Sequence, residues 1–163
     1  MRYAQMRKMD ISNGEGIGVA LFTQGCPFHC KGCFNPETWD FNGGKEWTDK
    51  EEKEFLELMD RPYIKRISFL GGEPLAEQNN DTLPSLIMEI KLQFPDKKIW
   101  VYSGNVWENL KDKPVMKYID VLVDGSFIEN LKDLTLPFRG SSNQRIIDVQ
   151  KSLKENRVVE YEL

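Results

Sequence analysis

The sequence predicts an α/β fold, a partial, open (βα) barrel of about five or six mostly parallel strands. Short apolar, partly β-branched segments alternate along the chain with amphipathic helical segments, an order typical of parallel strands joined by helical crossovers. The chain has 163 residues, whereas a closed eight-stranded barrel requires about 250 residues. We therefore expect a single domain over residues 1–163, in which the barrel stays open on one side.

The first half of the chain predicts two strands with a helix between them. Residues 17–23 are apolar and partly β-branched, and they end at a cysteine-rich loop. Thr48 and Glu51 have the spacing of a capping box, which predicts the start of a helix that ends before Pro62. Residues 66–70 are predicted to form a buried strand.

The second half of the chain continues the same alternation. Its predicted elements are a helix over residues 82–94, a strand over 98–102, a helical turn over 106–110, and strands over 119–123, 144–149 and 158–161. The apolar stretches are short enough to be strands, and proline or glycine ends most of the helical segments.

Unusual residues directly follow four successive predicted strands. The cysteine loop follows the first strand, Gly71-Gly72-Glu73-Pro74 the second, Ser103-Gly104 the third and Asp124-Gly125 the fourth. Because parallel strands point the same way, these loops are expected to meet on one rim of the sheet. Ligands bind at that rim in βα barrels and in open α/β sheets. The sequence therefore predicts a binding site there.

The three cysteines of the chain lie within eight residues of each other. Cys26, Cys30 and Cys33 have the spacing C-x3-C-x2-C. Thiolates bind soft metals, and an iron–sulfur cube normally has four protein ligands, one for each iron. Three cysteines would leave one iron with an open coordination site for a small molecule. This arrangement is expected of a protein that carries out chemistry at its cluster.

Two other roles of the cysteines stay open at this point. A structural zinc site would use His29 as the fourth ligand, although His29 directly adjoins Cys30 and zinc sites usually draw ligands from two separated pairs. A disulfide framework is disfavoured because the number of cysteines is odd and no apolar secretory segment precedes them.

Composition and charge exclude several classes of function. Hydrophobic and charged residues make up 40% and 29% of the chain, as in an ordinary soluble globular protein. The apolar runs are too short to span a membrane and the N-terminus lacks a signal peptide, so we expect a cytoplasmic protein. The net charge of −4 disfavours nucleic acid as the main partner, since neutralising phosphates requires a basic surface.

The cysteine loop after the first strand and the Gly71-Gly72-Glu73-Pro74 turn after the second together resemble the radical S-adenosylmethionine (SAM) superfamily. Within that superfamily, the chain resembles the activating proteins of anaerobic (class III) ribonucleoside-triphosphate reductase. The segments that carry this closer resemblance are residues 30–39, 123–127 and 139–148. The resemblance extends over most of the chain.

Two positions depart from the pattern of these proteins. The superfamily often has an aromatic residue before the third cysteine, where this chain has Gly32 and places the aromatic Phe34 after it. The histidine that many of these activators carry in the first spacer is one place later here, at His29. We expect His29 to be a solvent-facing loop residue.

The resemblance implies a [4Fe-4S] cluster, one per chain, held by Cys26, Cys30 and Cys33. The iron without a cysteine ligand would chelate the amino and carboxylate groups of SAM. One electron from the reduced cluster would then cleave the S–C5′ bond and yield methionine and a 5′-deoxyadenosyl radical. In such enzymes the cofactors carry the difficult step, and the protein supplies position and shielding from water.

The resemblance also implies a set of contacts to the cofactors. The cofactor-binding residues would be Gly32, Cys33, Phe34, Gly71, Gly72, Glu73, Ser103 and Gly104. Gly32 and Phe34 would line the adenine, and Gly71 and Gly72 would let backbone groups approach the methionine end. Glu73 would accept a hydrogen bond from the ligand ammonium or brace the turn. Ser103 and Gly104 would contact the methionyl carboxylate or the ribose.

The implied target of the radical is a glycine Cα–H in the catalytic subunit of the reductase, which would become a glycyl radical. A low-potential donor such as flavodoxin would supply the electron. A short, open barrel suits a protein substrate, because a backbone glycine of another protein cannot reach the bottom of a closed barrel. The alternative is an activator of another glycyl radical enzyme, such as pyruvate formate-lyase, although those proteins are usually longer.

The polar segment of residues 139–145 has two interpretations. It is either a solvated loop that caps the sheet or a contact surface for the protein substrate. In the second case, Arg139 and Arg145 would donate charged hydrogen bonds to the incoming glycine loop. Replacing both with alanine would then spare SAM cleavage but reduce glycyl radical formation. The sequence assigns no role to Asp124.

Overall fold

A seven-stranded mixed sheet forms the centre of the protein, as described by a computed structural model of residues 1–163. In chain order, the strands are β1 (Arg2–Asp10), β2 (Gly18–Thr23), β3 (Lys45–Glu46), β4 (Arg66–Gly71), β5 (Lys98–Tyr102), β6 (Val121–Asp124) and β7 (Arg145–Asp148). Their order across the sheet is β3-β1-β2-β4-β5-β6-β7, and the two outer strands do not pair with each other. The sheet is therefore open.

The helices connect the strands in the predicted βα order. They are α1 (Asp49–Met59), α2 (Leu83–Gln93), α3 (Trp107–Leu110) and α4 (Val149–Glu155), with 3₁₀ helices at Pro36–Thr38, Glu77–Asn79, Pro114–Tyr118 and Glu129–Leu131. The predicted capping box is confirmed, since the backbone N–H of Thr48 donates to the Glu51 carboxylate at 3.1 Å. Helix α1 therefore begins where its first polar turn predicts.

The centre of the sheet is parallel and its edges are antiparallel. Strands β2, β4, β5 and β6 pair in parallel, whereas β1 pairs antiparallel with β2 and β3, and β7 antiparallel with β6. The prediction of five or six mostly parallel strands is thus correct for the centre only. Strand β1 is antiparallel to β2 because only residues 11–17 join them, too few for a helical crossover, and residues 125–144 join β6 to β7 without an α-helix.

Several elements differ from the prediction. Strand β1 was not predicted, because its polar and charged residues hide the alternation expected of a strand. The segment predicted as one strand over residues 144–149 divides into β7 and α4, since the Asp148 carboxylate accepts from the N–H of Lys151 and caps the helix. Residues 158–161 form only an isolated bridge to β7, between Ile147 and Glu160, and not a strand.

The main hydrophobic core lies between one face of the sheet and the helices. It contains 24 buried side chains, and all four helices contribute to it. Phe55 of α1 and Leu83 of α2, for example, pack on the sheet face that carries Leu21 and Phe69. Because neighbouring strand residues point to opposite faces, every second residue of these strands faces away from the helices.

On the opposite face of the sheet, the loop of residues 11–17 covers the region around Arg66 and Ser68, at the start of β4. The fully buried Arg66 holds this loop: its guanidinium lies 3.0 Å from the Asp10 carboxylate and donates to the Ser68 hydroxyl at 2.5 Å. The Ser68 hydroxyl donates in turn to the Asn13 carbonyl at 2.6 Å. A side chain at Gly14 would meet Arg66 at 2.3 Å, so glycine is required there. The loop thus forms a floor beneath this face.

No helix combines the length and the apolar composition needed to cross a membrane.

Candidate functional site

A cavity of about 540 Å³ opens on the face of the sheet opposite the main core. Of the predicted site residues, the cavity is lined by Cys26, Cys30, Cys33, Phe34, Gly71, Gly72, Glu73, Ser103 and Gly104. Gly125 also lines it, so the loops after four parallel strands meet as predicted. Gly32 is the one predicted site residue outside the lining: its α-carbon faces the Glu129 side chain.

The cysteine loop is anchored at its base by backbone hydrogen bonds. The N–H of Gly25 donates to Thr38 at 2.7 Å and that of Cys26 to Trp39 at 3.1 Å, while the Gly25 carbonyl accepts from Glu73 at 2.8 Å. Gly25 has a φ of +107°, and a side chain there would collide with the Phe41 ring. The loop is therefore tied both to the following segment and to the glycine turn.

The three half-buried sulfurs are in surroundings that suit a thiolate cluster. The Cys33 sulfur accepts from the backbone N–H of Asn35 at 3.4 Å. Burial raises the pKa of the Cys26 thiol, and hydrogen bonds from the backbone of Phe28 and His29 oppose this effect. Backbone N–H groups directed at sulfur stabilise the electron-rich ligands of iron–sulfur clusters. The donors present thus fit such a cluster.

The zinc alternative depends on His29 as the fourth ligand. His29, the fourth ligand in that alternative, is exposed and stacks on the Trp39 ring, with 4.8 Å between the ring centroids. The expectation of an exposed loop histidine is confirmed, and the imidazole has a packing role on the outside of the loop.

Glu73 braces the glycine turn against the end of β5. One carboxylate oxygen accepts from the N–H of Gly104 at 2.7 Å, and the other from the Ser103 hydroxyl at 2.9 Å and the N–H of Leu75 at 3.1 Å. Burial raises the pKa of Glu73, and these three donors oppose the shift. The turn and Ser103-Gly104 are thus joined into one unit. Two roles were expected for Glu73, a hydrogen bond to the ligand ammonium or bracing of the turn. Its hydrogen bonds within the chain are those of bracing.

The two glycines of the turn permit close contact between chain segments. Gly71 has a φ of +104°, and a β-carbon on Gly72 would lie 2.3 Å from the carbonyl oxygen of Gly25. Gly104 is equally confined, since its β-carbon would meet the Phe28 ring at 2.6 Å. These glycines therefore bring the turn, the β5 end and the cysteine loop together, in addition to any contact with a ligand.

Asp124 and Arg145 hold three elements together beside the cavity. The Arg145 guanidinium lies 2.6 Å from the buried Asp124 carboxylate and 2.8 Å from Glu108 of α3. Asp124 also accepts from the N–H of Trp107 at 2.8 Å. Arg145 is therefore engaged within the chain, whereas one of the two interpretations of residues 139–145 assigned it to a partner contact. Only Arg139 of that pair lines the cavity.

The sequence analysis missed the residues that form the inner surface of the cavity. Phe22, Leu70, Tyr102 and Val123 lie at or near the ends of the four parallel strands and line it. The Tyr102 hydroxyl is buried without a hydrogen-bond partner, and burial raises its pKa, which keeps it protonated. The sequence does show which residues of each strand share a face, because strand residues alternate between faces. Assigning the faces requires knowing which one the helices cover.

Comparisons with known proteins agree with this arrangement. A family model described as a 4Fe-4S single cluster domain matches residues 12–147. A protein of Enterobacteria phage T4 is 37% identical over 146 residues, covering 90% of this chain and 93% of its own length. One from Haemophilus influenzae is 39% identical over 150 residues, with 90% and 97% covered. One from Escherichia coli K12 is 40% identical over 148 residues, with 88% and 96% covered.

All three relatives are named anaerobic ribonucleoside-triphosphate reductase-activating protein. The identity extends over nearly the whole of each chain, and the 4Fe-4S match includes both the cysteine loop and the glycine turn. The protein described here therefore belongs to the family of anaerobic ribonucleoside-triphosphate reductase-activating proteins.

Proposed function

We propose that this protein is the enzyme that activates an anaerobic ribonucleoside-triphosphate reductase by generating a glycyl radical on its catalytic subunit. One observation carries this proposal: the three cysteines and the glycine turn line a single cavity at the carboxyl ends of parallel strands. The names of its relatives supply the class of substrate.

Cys26, Cys30 and Cys33 would hold one [4Fe-4S] cluster per chain, because no fourth cysteine exists and all three sulfurs adjoin the cavity. Such a cluster would keep one iron for the amino and carboxylate groups of SAM and would supply the electron for the cleavage of SAM into methionine and a 5′-deoxyadenosyl radical. A low-potential donor such as flavodoxin would deliver that electron.

The residues around the cluster site would position SAM. Gly71 and Gly72 line the cavity with backbone alone, so their main-chain groups would face the methionine end next to the cysteine loop. Ser103 and Gly104 would contact the carboxylate or ribose, at a position that the Glu73 carboxylate fixes through one hydrogen bond to each of them. The adenine would lie near the cysteine loop, against the Phe34 ring at the cavity mouth and the backbone of Gly32.

The chain would protect the reaction through the apolar inner surface of the cavity. Phe22, Leu70 and Val123 exclude water from the space in which the radical forms. The radical would take a hydrogen atom from a glycine Cα and leave as 5′-deoxyadenosine, and the unpaired electron would remain on the glycine. We propose that the open sheet is the partial barrel of a single radical SAM domain, because an open side admits a protein segment.

An experiment without oxygen tests this function. The protein is reconstituted with iron and sulfide, then incubated with SAM, a reductant and the catalytic subunit of an anaerobic reductase. We expect a brown protein, 5′-deoxyadenosine, and a glycyl radical in the electron paramagnetic resonance spectrum that depends on SAM. Pyruvate formate-lyase serves as the alternative substrate. A colourless protein that binds zinc, or a radical formed only on pyruvate formate-lyase, would refute the proposal.

A further inference from the structure

An irregular hairpin of residues 128–142, here called the mouth hairpin, forms one side of the cavity entrance. Its two arms are joined by hydrogen bonds from the N–H of Asp133 to the Gly140 carbonyl at 3.0 Å and from the N–H of Ser142 to the Leu131 carbonyl at 2.9 Å. Its cavity-lining residues are Leu134, Leu136, Phe138, Arg139 and Gly140. This single segment therefore supplies a large part of the cavity wall.

The mouth hairpin adjoins the cysteine loop through contacts near the protein surface. Gly140 lies close to the rings of Phe34 and Phe127, which pack together with 5.0 Å between their centroids. Lys31 and Glu129 form an exposed salt bridge of 3.6 Å across the same boundary. The hairpin therefore lies directly beside the cysteine loop at the cavity.

The entrance carries apolar side chains that this chain leaves partly exposed. Leu134 is 74% exposed and Phe34 is 53% exposed, although both line the cavity. Leu131 and Ile128 of the hairpin are exposed as well. Contiguous exposed apolar side chains around an opening are typical of a surface that binds another protein. Of these side chains, only Phe34 has a role in the SAM site proposed above.

Arg139 brings an unpaired positive charge to the same entrance. Its Nε is buried without a hydrogen-bond partner, and the guanidinium forms no salt bridge and only one long bond, to the Gln144 carbonyl at 3.4 Å. The other arginine that lines the cavity, Arg7, lies beside Asp10 at 3.4 Å and over the Phe22 ring. A buried donor without a partner is costly unless a ligand supplies the acceptor.

The chemistry of the two ligands decides which one Arg139 suits. SAM carries a sulfonium and an ammonium against one carboxylate, so its net positive charge is repelled by a guanidinium. A glycine-bearing segment offers no side chain at the reacting residue, and its recognition must use main-chain carbonyl groups and the neighbouring side chains. Guanidinium groups donate several hydrogen bonds in a fixed geometry to such acceptors.

We propose that the mouth hairpin is the docking element for the glycine-bearing segment of the protein substrate. Leu134 packs against apolar side chains of that segment, and Arg139 donates hydrogen bonds to its main-chain carbonyl groups. This inference rests on the proposed function and adds the surface by which the substrate protein is recognised.

Two variants with matched controls test the docking element. Leu134→Ser and Arg139→Gln change the hairpin. Leu92→Ser is the control for the first, since Leu92 is 73% exposed but lies on α2, on the far side of the sheet. Arg157→Gln is the control for the second, since Arg157 is exposed and pairs only with Glu155. Each protein is measured for uncoupled SAM cleavage, for the dissociation constant of SAM, and for glycyl radical formation against reductase concentration.

We expect each hairpin variant to raise the reductase concentration for half-maximal radical formation about tenfold. Uncoupled cleavage and SAM affinity should match the wild type, and both controls should behave as wild type in all three assays. If neither hairpin variant shifts the half-maximal concentration, the docking role is overturned. Parallel loss of SAM affinity would also overturn it, by placing the hairpin in the cofactor site. Leu134→Ser changes an exposed side chain and remains informative even if Arg139→Gln misfolds.

Failure of the proposed function looks different from failure of the docking role. If the proposed function is wrong, the folded and iron-loaded wild-type protein itself yields no glycyl radical on the reductase at any concentration.

Discussion

At the residue scale, no other cysteine can take the place of Cys26, Cys30 or Cys33, because the chain has only these three and all of them line the cavity. Cys30→Ala is expected to abolish the formation of 5′-deoxyadenosine and to lower the iron content of the reconstituted protein. His29→Ala is the control, since the neighbouring imidazole is exposed and stacks on Trp39. It should retain both properties. A normal rate of SAM cleavage in Cys30→Ala would disprove the ligand assignment.

Gly72 is confined by the chain itself. A side chain there would approach the Gly25 carbonyl at 2.3 Å, next to the first cysteine. We therefore expect Gly72→Ala to push the turn away from the cysteine loop and to reduce both iron content and SAM affinity. The sequence alone predicts that a larger residue at position 72, such as valine, weakens SAM binding and leaves the cluster intact. The collision with Gly25 predicts that the cluster is affected as well.

Gly16→Ala is the control for this collision. A β-carbon on Gly16 would meet only Lys65, at 3.8 Å, although the φ of +71° makes any substitution there strained. It should lower thermal stability but leave the iron content per folded protein unchanged. Equal iron content in Gly72→Ala and the wild type would show that the turn can accept a side chain without displacing the cysteine loop.

At the element scale, Arg145 joins the end of β6, the start of β7 and helix α3. Arg145→Ala would leave the buried Asp124 carboxylate with two backbone donors but without its counter-charge. We expect a loss of about 2 kcal/mol in the free energy of unfolding, less than for a fully buried pair because Arg145 is partly exposed. Denaturant unfolding measures this loss.

Glu108→Ala is the matched control, because it removes only the exposed partner of Arg145. Exposed ion pairs contribute little to stability, so its unfolding midpoint should stay close to that of the wild type. If Arg145→Ala were as stable as Glu108→Ala, the ion pair with Asp124 would not hold these elements together.

At the scale of the whole molecule, the two faces of the sheet have separate tasks. The helix-covered face contains the main core of 24 buried side chains, and no cysteine is among them. Each fully buried apolar side chain contributes about 1.5–3 kcal/mol relative to an exposed one, so this core stabilises the sheet without a metal. The opposite face is left to form the cavity.

Removing the cluster should therefore leave the fold intact. After treatment with a chelator and an oxidant, we expect the far-ultraviolet circular dichroism to remain close to that of the loaded protein and thermal unfolding to remain cooperative. Changes should be confined to the cysteine loop and its neighbours, as hydrogen exchange would show. Loss of the helical signal on cluster removal would mean that the cluster, and not the apolar core, stabilises the sheet.

Several features could be predicted because they depend on neighbours in the sequence. Strands β2, β4, β5, β6 and β7 agree with the prediction to within two residues at each end. The capping box located the start of α1. Strand β1 escaped prediction because its polar and charged residues show no clear apolar pattern, and it is formed by pairing with β2 and β3.

By itself, the sequence determined the spacing of Cys26, Cys30 and Cys33 and the position of each unusual loop directly after a strand. Since parallel strands share a direction, it also determined that these loops meet on one rim. Only the tertiary structure decided how individual charged residues are used. Glu73 reaches Gly104, and Arg145 reaches Asp124, through contacts between residues far apart in the chain. Such pairings depend on which strands become neighbours in the sheet. Local patterns of polarity do not determine the order of the strands.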